Sequence, residues 1–245
     1  GDTRWSWYRN TAAGFAAAAE WALPASIGDE GDRPFTASAA SASCGEGIPA
    51  HVITDLTGDG MVDLVVTEGC DDDPSVGDSR WLLFVSDGAS FADTATDFSL
   101  PEAYGAAATT PFSSATDISA CGDDTPGHTV ADVDGDGFVD LVVTDVCDDL
   151  AAGANHWYLH FGNGESFAVE AYSFLLPTGY GSSGARPFAA STSSLDCSVP
   201  RIPWTVLDWD QDGDLDLLVT GACEGTGAEA VGDSAWNLHA GTCSP

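Results

Sequence analysis

The sequence predicts an all-β protein: three tandem repeats of about 76 residues with four strands each, followed by an extra C-terminal strand. Three observations predict it. First, "RWSWYRNTAAGF", "RWLLFVSDGASF" and "HWYLHFGNGESF" recur around Trp5, Trp81 and Trp157, and self-similarity at a fixed period marks a repeat architecture. Second, the apolar runs are short, β-branched and aromatic, and Gly, Asp and Pro clusters separate them, as in strands joined by turns. Third, helix signals are nearly absent. The one helix-like composition, "GFAAAAEWAL", aligns with strand-like "SFADTATDFSL" and is read as strand.

Each repeat has the same order of parts. The aromatic segment is followed by "ALP", "SLP" or "LLP", then by a Ser/Thr/Ala-rich segment ending in Cys. An acidic loop comes next: "DLTGDGMVD", "DVDGDGFVD" or "DWDQDGDLD". An apolar run closes the unit: "LVVTEGC", "LVVTDVC" or "LLVTGAC". In the second repeat the strands are expected at 81–86, 91–99, 127–132 and 140–144, with "SDGAS" and "GNGES" as hairpin turns. The repeats run 1–76, 77–152 and 153–231. Residues 232–245 begin a fourth, and the whole is expected to form one compact β domain.

The charge is lopsided. Thirty-nine acidic residues face six basic ones, all Arg, for a net charge of -33. Neither a nucleic-acid interface nor a polybasic membrane patch can be built from six scattered arginines. Bound cations or a salty medium suit such a chain, and a halophilic source would explain the acidity without any function. Eight Trp and eleven Phe supply apolar surface that a disordered chain lacks. No apolar run reaches the roughly 18 residues that suggest a membrane span. The chain opens inside a repeat with no visible signal peptide, and is read as a mature, processed form.

The acidic loops carry the clearest chemistry. Calcium takes six to eight oxygen ligands from carboxylates, carbonyls and water. A short loop supplies them when positions 1, 3 and 5 point inward, a carbonyl follows at 7, and a last carboxylate closes the set. Glycine at position 6 permits the sharp turn. The second loop offers Asp132, Asp134, Asp136, the carbonyl of Phe138, and Asp140. The third offers Asp208, Asp210, Asp212, the carbonyl of Asp214, and Asp216. The first offers Asp55, Thr57, Asp59, the carbonyl of Met61, and Asp63, and the neutral Thr57 should make it the weakest of three sites. The closing acid stands at position 9 and a strand follows it, so this is not a helix–loop–helix EF-hand. The alternative is an Asp/Gly turn that is merely solvated. Magnesium rarely uses an all-protein loop, and redox-active metals favour His or Cys, which the loops lack.

The pattern D-x-D-x-D-G-x-x-D-L with an apolar strand after it resembles the FG-GAP and VCBS repeats of calcium-binding β-propellers, such as the integrin α-subunit head. The match covers the acidic loop and its flanking strands in every repeat, with a "G-x-x-F" turn following the first two loops. It implies that each unit is a propeller-blade-like sheet and that calcium, held by the loop residues named above, is structural. Thr57 departs from the pattern. So does the count, because propellers usually have four to eight blades.

Seven cysteines occur, and six fall into equivalent pairs flanking the loops. Disulfides Cys44–Cys70, Cys121–Cys147 and Cys197–Cys223 are expected, each contributing about 3 kcal/mol by restricting the unfolded chain. Such bonds imply a secreted or cell-surface location. Three pairs of free buried thiols are the alternative, and a zinc site is poorly served without CxxC. Cys243 is left over, as a free thiol or a link to another chain.

No catalytic constellation emerges: no nucleophile elbow, no H-E-x-x-H, no Walker loop, no dinucleotide fingerprint. His51 and His128 occupy equivalent positions that Trp204 fills in the third repeat, and are read as packing positions. Paired carboxylates can serve a glycosidase, but metal accounts for every Asp pair here. Trp5, Trp81, Trp157 and Trp236 open equivalent strands; core packing is the plain reading and a sugar platform the sharper one. The Ser/Thr/Ala segments are compatible with O-glycosylation or with packing on the next unit.

With the strands around the acidic loop labelled A and B, and those around the hairpin C and D, the chain reads CD, ABCD, ABCD, AB, C. An ordinary ring does not close on this count. Either the units stack as an open array, or the spare strand and truncated repeat pair with another copy. The function expected is therefore a non-enzymatic, extracellular, calcium-stabilised structural repeat protein that self-associates end to end into a fibre or surface assembly. A carbohydrate- or protein-binding adhesin is the alternative.

Overall fold

A computed structural model describes residues 4–25, 35, 49–69, 73–102, 104, 111–113, 127–146, 149, 151–180, 186–189, 203–212, 214–222, 231 and 234–241. All seven cysteines lie outside the described residues, and with them the expected disulfides and Cys243. Among the described residues every regular element is a strand and every ladder is antiparallel. No helix is long and apolar enough to cross a membrane.

The chain divides into two compact units. The first comprises 1–100 with 107–116, the second 101–106 with 117–245. In the first, β1 (Arg4–Trp7) pairs with β4 (Ala19–Ala22), and between them β2 (Asn10–Thr11) and β3 (Gly14–Phe15) form a small hairpin. A four-stranded sheet follows, in the order β5 (Ala50–Thr54), β6 (Asp63–Glu68), β7 (Arg80–Phe84), β8 (Thr96–Ser99). The segment around "GFAAAAEWAL" is thus strand, as the alignment with its counterpart predicted.

The second unit repeats the pattern. β9 (Gly127–Ala131), β10 (Asp140–Asp145), β11 (His156–His160) and β12 (Tyr172–Leu175) form a sheet in chain order. β13 (Trp204–Leu207), β14 (Asp216–Val219) and β15 (Asn237–His239) form a three-stranded one. The C-terminal strand is therefore not spare. β15 pairs with β14 of its own chain, Leu218 opposite Leu238, and takes the place of strand C. The sheets straddle the repeat boundaries at 76 and 152, because strands A and B of one repeat pair with C and D of the next.

Burial explains the sequence runs. β6 (DLVVTE) and β10 (DLVVTD) are buried along almost their whole length, so they read as continuous apolar runs. β7 and β11 start with the alternation of a strand that has one covered face. β8 is shorter than the 91–99 expected: Phe91 only bridges to Ser86, and the polar Asp93–Thr94 bend interrupts the ladder before Thr96. The first unit's core gathers Leu23, Phe35, Leu64, Val66, Val76, Phe84 and Phe91. The second gathers Val142, Trp157, Leu159, Tyr180, Phe188, Trp204 and Val219, among others.

One latch recurs. The indole N–H groups of Trp5, Trp81 and Trp157 donate to the carbonyls of Phe35, Phe112 and Phe188, at 2.9, 3.0 and 3.0 Å. Trp81 and Trp157 are buried and Trp5 is half-buried, so these rings pack the core instead of serving as platforms. His51 and Trp204 are buried too, His51 beside Trp5 and Trp204 against Trp157. Trp236 differs, at 59% exposed.

Candidate metal centre

Each acidic loop joins the first two strands of a sheet, and its backbone follows from the sequence. Positions 4 and 6 of the first two loops adopt positive φ: 73° and 85° at Gly58 and Gly60, 73° and 95° at Gly135 and Gly137. Glycine populates that region without steric cost. In the third loop Gln211 holds position 4 at 64°, the one non-glycine residue with positive φ among the described residues.

The carboxylates organise the turn. Asp55 accepts the amides of Gly58, Asp59 and Gly60. Asp132 accepts those of Gly135 and Gly137, and Asp208 that of Asp212. In all three loops the position-5 carboxylate accepts the amide of position 7: Asp59 from Met61, Asp136 from Phe138, Asp212 from Asp214.

The closing acid does more than the ligand role expected of it. Asp63, Asp140 and Asp216 are buried, at 0%, 0% and 1% exposed. One oxygen of each accepts an amide at loop position 2: Leu56, Val133 and Trp209. The other reaches the end of strand C and accepts the amide of Ser86, Gly162 or Gly241, at 3.0, 2.8 and 2.9 Å. Each closing carboxylate thus ties its loop to the end of the next strand C. A Cβ on Gly162 would lie 2.0 Å from the Val139 carbonyl oxygen, and one on Gly241 2.2 Å from that of Leu215, so the close approach demands glycine there. The sequence marked Ser86 and Gly162 as the heads of hairpin turns but not as partners of the closing acids, and it did not mark Gly241, although the fixed distance after the strand-C Trp was available as a signal.

The residues present fit a divalent cation in two loops. Carboxylate oxygens of Asp132, Asp134 and Asp136 lie within 4.8 Å of one another, as do those of Asp208, Asp210 and Asp216. Two oxygens each about 2.4 Å from a shared calcium lie at most about 4.8 Å apart. The sets differ: Asp140 stands outside the first cluster and Asp212 outside the second, while Asp216 joins. The first loop assembles no such trio among the described residues. There the Thr57 hydroxyl donates to Asp63 at 3.1 Å, which spends an oxygen lone pair on an internal bond.

Without a cation these groups strain against their charge. Burial, with the Asp136 and Asp132 charges, raises the Asp134 pKa. Burial and the neighbouring Asp212 and Asp216 raise that of Asp210. Burial pushes Asp140 up to about 6, against the pull of its two amide donors and with help from Asp134 and Asp136. A bound cation would reverse the local sign.

Two further features were not read from the sequence. His160 is buried, and its Nδ1 lies 2.8 Å from the Ala168 carbonyl while its Nε2 lies 2.8 Å from the Tyr104 hydroxyl. A carbonyl only accepts, so Nδ1 carries the proton and the Tyr104 hydroxyl donates to Nε2. Tyr180 and His239 repeat the pair at 2.7 Å, with the Asn237 amide donating to the Tyr180 oxygen. The 76-residue spacing of Tyr104 and Tyr180 was the unused signal. Secondly, a cleft of about 320 Å3 opens in the second unit beside Trp157, Tyr172, Phe174, Trp204 and His239, with no Asp, Glu or Arg in its wall. The Trp204 indole nitrogen is buried and has no hydrogen-bond partner among the described residues.

No protein-family model matches the chain, and no curated protein matches it. A chain in a solved structure of the Photorhabdus luminescens Tc holotoxin pore is similar over 89% of this chain, with a TM-score of 0.48 and 17% identity. This chain spans 7% of the length of that one.

Proposed function

We propose that this is an extracellular, non-enzymatic structural repeat protein whose blade-like sheets are cross-braced by calcium, and which self-associates end to end. The observation that carries the reading is the convergence of three carboxylates to calcium-like spacing at the same phase of two successive loops. In a chain of net charge -33, such convergence is repulsive unless a cation sits among the oxygens. When bound, calcium would supply structural neutralisation there, held by Asp132, Asp134 and Asp136 in one loop and by Asp208, Asp210 and Asp216 in the other. The first loop, with Thr57 in place of a carboxylate, is the weak site. The resemblance to FG-GAP and VCBS repeats supports the same reading, as does the cysteine pairing expected of a secreted chain.

Titration calorimetry of the chelator-stripped protein tests it. Calcium should bind with two tighter sites and raise the melting temperature. An absence of binding heat together with a calcium-independent melt would refute the calcium reading. Alkylation of the unreduced, denatured chain should label one thiol; seven labelled thiols would remove the argument for secretion.

The cleft in the second unit favours an adhesin as the second reading. Its aromatic wall, with no Asp, Glu or Arg among the described residues that line it, suits the ring face of a neutral ligand such as a saccharide. Retention on glycan arrays that is lost in Tyr172→Ala, which removes an exposed ring at the cleft, would support it.

A further inference from the structure

Within each unit one sheet packs on the next through the face that carries the strand-C Trp. In the first unit Trp5 of β1 lies against His51 of β5 and against Phe91, with ring centroids 6.4 and 5.8 Å apart. In the second, Trp157 of β11 lies 4.7 Å from Trp204 of β13. The opposite face of strand C receives the sheet before it, as His239 receives the Tyr180 hydroxyl. Side chains alternate along a strand, so within a unit the two neighbouring sheets can meet through opposite faces of their C strands.

Each unit has a terminal sheet with an exposed face. On the β13–β15 sheet, Trp236 and Leu238 occupy the successor face and stand 59% and 41% exposed, whereas their counterparts Trp157 and Leu159 are buried. On the β1–β4 sheet, Tyr8 holds the position equivalent to His239 and is 56% exposed. Charge matches them. Among the described residues, the N-terminal sheet carries Arg4 and Arg9 against the single Glu20, and the C-terminal sheet carries Asp208, Asp210, Asp212, Asp214 and Asp216 with no Arg. In so acidic a chain this is the pairing of surfaces that repels least.

We propose that the Trp236–Leu238 face of one copy docks on the Ser6–Tyr8 face of a second copy, where Arg4 also lies, bonded to Glu20 opposite Ser6. The contact continues between molecules the sheet-on-sheet packing found within each unit. It joins two different faces, so it is heterologous and propagates into a filament unless rotation closes a ring. The inference rests on the self-association reading and names its interface.

Sedimentation velocity in millimolar calcium tests it, with three chains: wild type, W236S/L238S, and R4S/Y8S. The substituted side chains are exposed, and near-ultraviolet circular dichroism verifies that each variant is folded. Wild type should form concentration-dependent oligomers. Each variant alone should associate about thirtyfold more weakly or worse, the equivalent of about 2 kcal/mol for losing interface anchors. An equimolar mixture of the two should form dimers and nothing longer, because one intact face of each kind remains. Variants that associate like wild type, or a mixture that stays monomeric while wild type assembles, would overturn this interface and leave self-association standing. Wild type that stays monomeric at high concentration would overturn both, and assign the face to another occupant.

Discussion

Replacing Asp63 by Ala separates a structural brace from a metal ligand. The carboxylate is fully buried and accepts the amides of Leu56, Thr57 and Ser86 together with the Thr57 hydroxyl. The hydroxyl can turn to solvent, and the Thr57 amide is only partly buried. The Leu56 and Ser86 amides are buried and would be orphaned, at about 1–3 kcal/mol each, so Asp63→Ala should cost about 2–6 kcal/mol. That is a large share of the roughly 5–15 kcal/mol that holds a domain folded. Asp59→Ala is the control, since the exposed Asp59 accepts only the Met61 amide of the bonds at its position-5 turn, and its loss should stay under about 1 kcal/mol. Urea denaturation in excess chelator measures both. Because the bonds of Asp63 form without any cation, its cost should persist in chelator and change little with calcium. A loss below about 1 kcal/mol for Asp63→Ala, or equal losses for the two variants in chelator, would refute the brace argument.

Other expectations follow the same geometry. Asp136→Ala should be nearly silent in chelator but should remove one calcium increment, about 2.7 kcal/mol at a free concentration a hundredfold above the dissociation constant, read from paired melts with and without calcium. Gly162→Ala drives a Cβ toward the Val139 carbonyl and displaces the amide bonded to Asp140, so it should cost about 2 kcal/mol or more in urea denaturation, as should Gly241→Ala. Burial lowers the pKa of His160 below 6.5, so its contribution to stability is complete above that pH and is lost as pH falls through the lower folded value. Asp140, raised from 3.8 to about 6, works in the opposite direction between those values. The denaturation midpoint of His160→Phe, which borrows the Phe84 of the preceding repeat, should therefore fall less than wild type between pH 7 and 5. Identical pH profiles would remove His160 from the acid response.

The repeat, the strands and the loops were legible because each rests on local chemistry. Glycines at positions 4 and 6 shape the turn, alternating carboxylates converge, and β-branched runs such as "DLVVT" extend. The fixed spacing of Trp5, Trp81 and Trp157 marked equivalent strands before any fold was known. Which carboxylates meet was decided by tertiary structure. Asp140 turns its oxygens to Val133 and Gly162 and leaves the trio in its loop, whereas Asp216, with the same two kinds of amide partner, joins Asp208 and Asp210. The C-terminal strand was likewise misjudged as spare, because pairing with β14 is a ladder formed across some twenty residues of chain and no local pattern declares it. The sequence by itself determined the parts, since turn geometry and strand propensity act within a few residues. Only the tertiary structure decided which buried donor each carboxylate meets and which aromatic face stays open, since those depend on where the next sheet comes to rest.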